Sequence, residues 1–254
     1  MEVFQAILLG IVQGLTEWLP VSSSGHLVLA QRLMNLSVPV AYDVALHIGT
    51  VIPVFIIFRK DILRVLKGLL TLDRKNENFK LGIFVLIASI ITGAIGILFL
   101  KYFEMLFAST LAVGIGFIIT GVFVFASKFF KGQKKIEFKD SVLIGLAQGL
   151  AIAPGVSRSG LTISSGLIRK IDKRSVFTFS FLLSMFAIVG AQIVELRGFE
   201  SSGVDLPSLI VGVLTSAVVG YAAIKILLKT ILSEKFHWFA YYCFALGIIV
   251  LFML

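Results

Sequence analysis

Six apolar segments, each about 20 residues long, dominate this chain and restrict its fold more than any other feature. They cover residues 39–58, 81–100, 109–127, 175–195, 206–229 and 237–254. A helix needs about 20 predominantly apolar residues to cross a bilayer. The composition agrees: 58% of the residues are hydrophobic and 15% are charged, against about 25% charged in a soluble domain. We therefore predict an all-α polytopic membrane protein with six transmembrane helices.

Two other apolar stretches, 3–19 and 141–153, are interrupted too early to cross the membrane. The first runs into Pro20 and a serine-rich segment. The second runs into Pro154, Gly155 and a similar segment, and both resume as a second short apolar piece. Irregular backbone at membrane depth is tolerated only where it is buried in protein or lines a wet cavity. We therefore predict two re-entrant helix-loop-helix segments, at 3–36 and 141–168, that line a polar site.

The two interrupted segments are copies of each other. A shift of 135 residues places Gly10–Gly25 on Gly145–Gly160 without a gap, and eight of the sixteen positions are identical. The chain is thus predicted to be a single membrane domain of two repeats, 1–135 and 136–254, each with one re-entrant segment and three spans. Because three is odd, the second repeat enters from the opposite side. Inverted repeats usually hold their working site near the midplane of the membrane.

Positive charge is concentrated in three of the loops. The chain has 23 Lys and Arg against 14 Asp and Glu, and segments 59–80, 128–139 and 169–174 hold seven, five and four of the basic residues. By the positive-inside rule these loops are cytoplasmic, so both termini and the entry of the first re-entrant segment lie outside. No interleaving of aromatic and basic residues marks a nucleic-acid surface, and nucleic acid is not an expected partner.

Gln13 and Glu17 are four residues apart in the first repeat and share one helical face. A carboxylate inside a membrane segment is costly, which makes Glu17 a functional candidate. The alternative is that Glu17 lies near an interface and is simply hydrated. With so few His and Cys residues, a site for Mg²⁺ or Ca²⁺ formed by Glu17, substrate phosphate and water is the physical choice for a metal.

The serine-rich segments supply hydroxyl groups and free N–H groups where a second short helix should begin. They are Ser22-Ser23-Ser24-Gly25-His26 and Ser157-Arg158-Ser159-Gly160. Helix N-termini bind phosphate well, and the planar guanidinium of Arg158 suits phosphate oxygens. Helix capping alone is the alternative for each serine, but together with Arg158 the segments predict a phosphate site.

The chain has three histidines. The neighbours of His26 make it a candidate base or nucleophile. His47, close to Asp43 at the start of a span, is interpreted as structural or as a support for the residues of the site, and His237 as an interface residue.

At this point the motifs resemble those of a known family, the bacterial undecaprenyl-diphosphate phosphatases, also called bacitracin resistance proteins. Gln13-Gly14-Leu15-Thr16-Glu17 resembles the Glu/Gln-x-x-x-Glu element of the family, and Ser22–His26 resembles its Ser-rich stretch that ends in histidine. The segment from Pro154 to Thr162 matches its Pro-Gly-x-Ser-Arg-Ser-x-x-Thr element. The resemblance covers essentially the whole chain.

The resemblance implies hydrolysis of undecaprenyl diphosphate to undecaprenyl phosphate and inorganic phosphate. This reaction recycles the lipid carrier of peptidoglycan synthesis and confers bacitracin resistance. The resemblance also implies a location in the bacterial cytoplasmic membrane, with an active site that faces outside. The implied partners are a polyprenyl diphosphate and the bilayer, and a homodimer is left open.

The same resemblance implies the site residues. The catalytic positions are Glu17, His26 and Arg158. The candidate nucleophiles are Ser23, His26 and water. Mg²⁺ or Ca²⁺ is the implied cofactor, with Glu17 and Gln13 as its ligands, and Gln13 stands where the family often has a second glutamate. Phosphate binding is assigned to Ser22, Ser24, Gly155, Ser157, Ser159 and Thr162.

Two other functions fit part of the sequence. Acid-phosphatase-like lipid phosphatases also use a Ser-Gly-His element, as at Ser24-Gly25-His26, but they need a second histidine soon after a Ser-Arg pair. No histidine lies between His47 and His237, so that rival fails. A polyprenyl-phosphate flippase or transporter of inverted-repeat type fits the architecture equally well, and only the set of Glu17, His26 and Arg158 favours chemistry over transport.

Overall fold

The computed structural model of the protein describes residues 2–36, 38, 40–195 and 205–252. These residues form eleven α-helices and one 3₁₀ turn, and they contain no β-strand beyond an isolated bridge between Lys134 and Ile171. The helices are α1 (Val3–Trp18), α2 (Ser23–Leu33), α3 (Val40–Thr71), α4 (Glu77–Leu98), α5 (Leu100–Phe107), α6 (Thr110–Ala126), α7 (Phe138–Leu150), α8 (Arg158–Ile168), α9 (Lys173–Glu195), α10 (Leu206–Leu232) and α11 (Trp238–Phe252). The 3₁₀ turn at Ser127–Phe129 follows α6.

Five helical segments are long and apolar enough to cross a membrane. They are Tyr42–Thr71, Glu77–Leu98, Thr110–Phe129, Lys173–Gly190 and Leu206–Leu232. This confirms an all-helical, polytopic membrane protein. The sixth predicted span, 237–254, contains α11, which has 15 residues; residues 253 and 254 and the predicted start of the first span at Pro39 lie outside the described residues.

The helices extend beyond the predicted spans mainly at their charged ends. The first span was expected to end at Phe58, but α3 continues through Arg59 and Arg64 to Thr71. Hydropathy marks where a helix leaves the apolar phase, whereas the helix itself continues as long as its residues favour helical backbone. The loop after Leu100 likewise contains the short helix α5. Helix starts follow capping residues, with Asn76, Ser109 and Asp205 capping α4, α6 and α10.

Both interrupted segments form two short helices separated by a break. In the first, α1 ends at Trp18, and Leu19 adopts an extended conformation with ψ 148°, as expected for the residue before Pro20. In the second, α7 ends before Pro154, and Gly155 has φ +79°, a backbone conformation that glycine adopts without steric cost. The predicted helix breaks are therefore confirmed at both positions.

The helices of each half pack on helices of the other half. Helix α1 packs on α10, α7 packs on α4, and α6 packs on α11. The repeated glycines allow the first two pairs to approach closely. A Cβ added at Gly14 would lie 2.8 Å from the Ser216 carbonyl oxygen of α10, and one at Gly145 would lie 2.8 Å from the Ala88 Cα of α4.

An aromatic cluster closes the protein core beside the first break. Trp18 stacks on Phe181 with ring centroids 4.8 Å apart, and Phe58 and Phe177 pack on Phe181 at 5.0 and 4.5 Å. Rings at these separations contribute favourable contacts beyond the area they bury. The cluster joins α1, α3 and α9 and fixes the end of α1 that carries Glu17.

Candidate active site

The two breaks contact each other inside the helical bundle. The Ser159 hydroxyl donates to the Leu19 carbonyl at 3.2 Å, and Gly25 is so close to Phe117 and Gly155 that a Cβ there would collide with the Phe117 ring. Thr120 of α6 fixes the second break: its hydroxyl donates to the Gly155 carbonyl at 3.2 Å and accepts from the Ser157 N–H at 2.8 Å. The predicted polar site therefore forms where the two segments meet.

Glu17 lies at the centre of this site, and its side chain is only 4% exposed. One carboxylate oxygen, Oε1, accepts from the Arg158 guanidinium of the other half. The second, Oε2, accepts from the Ser23 hydroxyl at 2.6 Å and from the Gln13 amide at 3.0 Å. A buried carboxylate is tolerated only when charge and hydrogen bonds compensate its lost hydration, and these contacts supply both.

Arg158 is held from two directions. Its guanidinium pairs with Glu17, and it lies over the Trp18 ring at 5.1 Å from the centroid. A guanidinium carries several N–H donors in one plane, so Arg158 keeps donors beyond the one that Glu17 receives. With 15% of its side chain exposed, it can offer those donors to an anion that enters the site.

The serines of the two breaks differ in what their hydroxyl groups contact. Ser22 and Ser157 act as caps, accepting from the Gly25 N–H at 3.4 Å and the Gly160 N–H at 3.1 Å. Ser24 and Ser159 pair with these caps, with 3.3 Å between hydroxyl oxygens in each half. Ser23 instead donates to Glu17. The capping role is therefore real for two serines, and Ser23 is the one whose hydroxyl contacts the carboxylate.

Thr162 lies one turn into α8, away from the carboxylate. It is fully buried, donates to the Arg158 carbonyl at 2.9 Å and shares a hydrogen bond of 2.6 Å with Ser180 of α9. Its hydroxyl supports the start of α8 in this structure.

His26 is held by residues other than Glu17. Its Nδ1 is 2.7 Å from the Ser22 carbonyl oxygen and its Nε2 is 2.7 Å from the Tyr242 hydroxyl, while Phe117 packs edge-on at 5.3 Å between centroids. Ser22 has φ 66° and ψ 103°, a strained conformation for a residue with a side chain. Strain of this kind clusters at functional sites.

His47 approaches the site, and the sequence did not predict its partner there. Interpreted from the sequence as structural or as a support for the site, it places Nε2 3.4 Å from Oε2 of Glu17. Its Nδ1 is 2.7 Å from the Asp43 carbonyl, and the Asp43 carboxylate accepts from the Gln31 amide at 2.9 Å. The available signal was two ionisable residues in a span, which are functional candidates by default. His237 has no such contact in the described part of the chain and packs beside Trp238.

Gln13 and Glu17 are the residues that could hold a metal ion at this site. The Gln13 amide nitrogen donates to Glu17, and its Oε1 is buried without a hydrogen-bond partner among the described residues. That orphaned oxygen beside a carboxylate suits a hard divalent cation. No cluster of three or more His, Cys, Asp or Glu side chains occurs in the described part of the chain, so further ligands would come from substrate and water.

The fold and the site together define a class: a polytopic helical membrane protein with a buried carboxylate–arginine pair and a serine hydroxyl between two broken helices. Comparison with known proteins makes the assignment specific. Residues 6–249 match the family model of the bacitracin resistance protein BacA, and the chain belongs to that family.

Curated relatives match over their whole length. The chain is 42% identical to an undecaprenyl-diphosphatase of Carboxydothermus hydrogenoformans, over 99% of this chain and 97% of the relative. It is 42% identical to one of Halothermothrix orenii, over 99% and 98%. It is 38% identical to one of Korarchaeum cryptofilum, over all of both chains.

Proposed function

We propose that this protein hydrolyses undecaprenyl diphosphate to undecaprenyl phosphate and inorganic phosphate. Full-length similarity to proteins named undecaprenyl-diphosphatase supports the reaction. The observation that carries it in the structure is the contact of Glu17 with both Ser23 and Arg158. Glu17 supplies a base, and Ser23 and Arg158 supply a hydroxyl group and a phosphate-binding cation at the N-termini of two helices.

In this proposal Ser23 is the nucleophile and Glu17 its base. Oε2 of Glu17 already accepts the Ser23 proton in a hydrogen bond of 2.6 Å, which is the geometry that general-base activation requires. The Ser23 oxygen attacks the terminal phosphorus, its proton passes to Glu17, and the bond to the undecaprenyl phosphate leaving group breaks.

Arg158 and the N-termini of α2 and α8 stabilise the negative charge of the transferring phosphoryl group. The Ser22, Ser24, Ser157 and Ser159 hydroxyls and the Gly155 backbone support these N-termini, while Thr162 supports α8 from behind. In the second step water attacks the phosphoserine, its proton passes to Nε2 of His26, and Glu17 returns a proton to the Ser23 oxygen.

Gln13 and Glu17 would hold a divalent cation, Mg²⁺ or Ca²⁺, through Oε1 of Gln13 and a carboxylate oxygen. When bound, such an ion neutralises diphosphate charge in a membrane-embedded site. Every proton transfer above is carried out by residues of the chain itself.

We also propose the membrane arrangement predicted above: a sixth span at α11, re-entrant segments at 3–36 and 141–168, and inverted repeats 1–135 and 136–254. The packing between the two halves supports it: α1 packs on α10, and α7 packs on α4. The shift of 135 residues that places α1 on α7 also places α4 on α10. A twofold relation between the repeats would pair the helices in this way.

The three basic loops lie on one face, which supports their placement in the cytoplasm of a bacterial inner membrane. Lys135 is 3.6 Å from Glu77, the Lys134 N–H donates to the Lys170 carbonyl, and Lys131 and Lys173 both pair with Glu234. The pKa of Glu234 is lowered to about 2, first by the hydrogen bond from Lys131. Labelling of single cysteines from outside, in a Cys243→Ser background, should reach α5 and miss Lys131–Lys135; the reverse pattern would overturn this orientation.

The alternative, a polyprenyl-phosphate flippase, is not favoured by the relatives, which are named as phosphatases. The direct test is phosphate release from undecaprenyl diphosphate by the purified protein in detergent, with and without Mg²⁺ or Ca²⁺. We expect release that is abolished when the ion is chelated. A protein that releases no phosphate yet moves labelled lipid across vesicles would instead be a carrier.

A further inference from the structure

The imidazole of His26 is fixed at both nitrogens by residues from different parts of the chain. Nδ1 is 2.7 Å from the Ser22 carbonyl oxygen, and Nε2 is 2.7 Å from the hydroxyl of Tyr242 on α11. The Tyr242 ring lies parallel to the imidazole, with 9° between planes and 5.7 Å between centroids. The Phe117 ring packs edge-on against the imidazole, with 90° between their planes. The imidazole therefore has one defined orientation.

These contacts also define where the proton of a neutral His26 lies. A carbonyl oxygen can only accept a hydrogen bond, so Nδ1 must carry the proton that Ser22 receives. The other nitrogen, Nε2, then has a free lone pair, and the Tyr242 hydroxyl donates to it. The Ser22 carbonyl thus sets the tautomer, and the Tyr242 hydroxyl holds the basic Nε2 in place.

His26 lies where a basic nitrogen could act on the reaction. It is three residues after Ser23 in α2, and residues three apart on a helix are neighbours on its surface. The register of α11 against this turn is fixed one residue further on, where the buried Cys243 thiol donates to the Pro20 carbonyl at 3.3 Å. Tyr242 is therefore anchored to the same break that carries Ser22 and Ser23.

We propose that Tyr242 is a positioning residue of the phosphatase site, whose hydroxyl donates to the proton-free Nε2 of His26 and holds the imidazole in its orientation. The attacking water replaces the hydroxyl at Nε2 in the second step. This inference rests on the proposed phosphatase function and on the role proposed there for His26. Nothing in the sequence motifs points to Tyr242, which lies 216 residues from its partner.

The chain offers a matched control in the adjacent residue. Tyr241 is 52% exposed and Tyr242 48%, but the Tyr241 ring packs on Phe125 and Trp238 instead of on His26. Changing either tyrosine to phenylalanine removes one oxygen and keeps the ring. A purely structural contribution of the aromatic ring would therefore survive in both variants.

The decisive experiment is ¹⁵N NMR of the full-length protein labelled at its three histidines, recorded in detergent at alkaline pH, where imidazoles are neutral. Loss of one pair of signals in His26→Gln assigns His26. We expect the Nδ1–H tautomer in the wild type and in both variants, and a changed Nε2 shift in Tyr242→Phe alone, because only that variant loses the hydrogen bond to Nε2. Unchanged His26 nitrogen shifts in Tyr242→Phe would overturn the inference.

Turnover provides the second measurement. Loss of one hydrogen bond to the base should lower kcat about tenfold in Tyr242→Phe, with KM nearly constant, and leave Tyr241→Phe at the wild-type rate. Equal losses in both variants, or a changed Nε2 shift without a change in kcat, would contradict the positioning role. A wild-type protein without phosphatase activity would overturn the proposed function, and the nitrogen shifts would still show whether Tyr242 donates to Nε2.

Discussion

The break between α1 and α2 and the break between α7 and α8 share a scaffold and differ in their chemistry. In both, a serine caps the second helix and a second serine lies 3.3 Å from the first. In both, a glutamine lies in the first helix, but Gln13 donates to Glu17 whereas Gln148 donates to Thr92 of α4 at 3.2 Å. The shared positions build helix ends and close helix packing.

The proposed catalytic residues occupy positions where the repeats differ. With the shift of 135 residues, Glu17 corresponds to Ile152, Ser23 to Arg158, and His26 to Leu161. The first break supplies the carboxylate, the hydroxyl and the imidazole, and the second supplies the cation. The two breaks therefore share the backbone geometry of their helix ends, whereas their side chains differ and complement each other where the breaks meet.

The largest effect is expected at Glu17, the position where the two breaks differ most. Glu17→Gln removes the base and the charge opposite Arg158, so phosphate release should fall at least about a hundredfold, or about 2.7 kcal/mol of barrier. Binding of a polyprenyl diphosphate should persist. The control is Ile152→Val, the counterpart in the second break, which should stay within about twofold of wild type because it alters only packing.

Undiminished release by Glu17→Gln would place the chemistry elsewhere and would remove the functional asymmetry between the breaks. A hundredfold loss in Ile152→Val would do the same.

The next effect is expected at Arg158, the one cation that the second break contributes. Arg158→Lys keeps the charge but loses the planar fork and the stacking on Trp18, so turnover should fall at least about tenfold. The matched change is Arg169→Lys, at an arginine that pairs with Asp140 outside the site. We expect that variant to keep its activity in the same phosphate-release assay; near-normal turnover in Arg158→Lys would exclude Arg158 from the site.

A smaller effect should come from the residues that hold each break in place. Thr120 accepts from the buried Ser157 N–H, and Thr120→Val would leave that donor unpaired, at a cost of about 1–3 kcal/mol. The first break is held by the Cys243 thiol, a weaker donor, so Cys243→Ala should cost less. The midpoint of thermal inactivation in detergent measures both; a larger loss for Cys243→Ala would reverse this ranking.

Much of this architecture could be predicted from the sequence because each feature has a local physical cause. Apolar length predicted the membrane helices, and Pro20 and the Pro154-Gly155 pair predicted the two helix breaks. The 135-residue repeat predicted which segments would correspond, and the two breaks do meet around Glu17 and Arg158. The end of α3 at Thr71 was missed because hydropathy reports the membrane boundary and not the helix boundary.

The contacts that the sequence could not provide are those between distant helix faces. His47 approaches Glu17 because α3 packs beside α1, and Tyr242 reaches His26 because α11 packs on α6. The repeat did not predict these contacts, since it relates positions within the two interrupted segments and not side chains on the surrounding helices. Helical periodicity fixes which residues share a face, but not which faces meet.

The smallest effect, and the sharpest test of the comparison, is expected at the two glutamines that occupy the same repeat position. Gln13 orients Glu17 and leaves Oε1 free beside it, so Gln13→Ala should lower phosphate release only about fivefold, since the contacts of Glu17 with Ser23 and Arg158 remain. It should also raise the Mg²⁺ concentration that gives half-maximal activity, because one oxygen ligand is lost. Gln148→Ala removes the equivalent hydrogen bond to Thr92 on the other side of the molecule. That variant should lose thermal stability and keep the wild-type Mg²⁺ dependence. If both variants shifted the Mg²⁺ dependence equally, the glutamines would serve packing alone and Gln13 would not be a ligand; if only Gln13→Ala does so, two identical residues at one repeat position have acquired different functions.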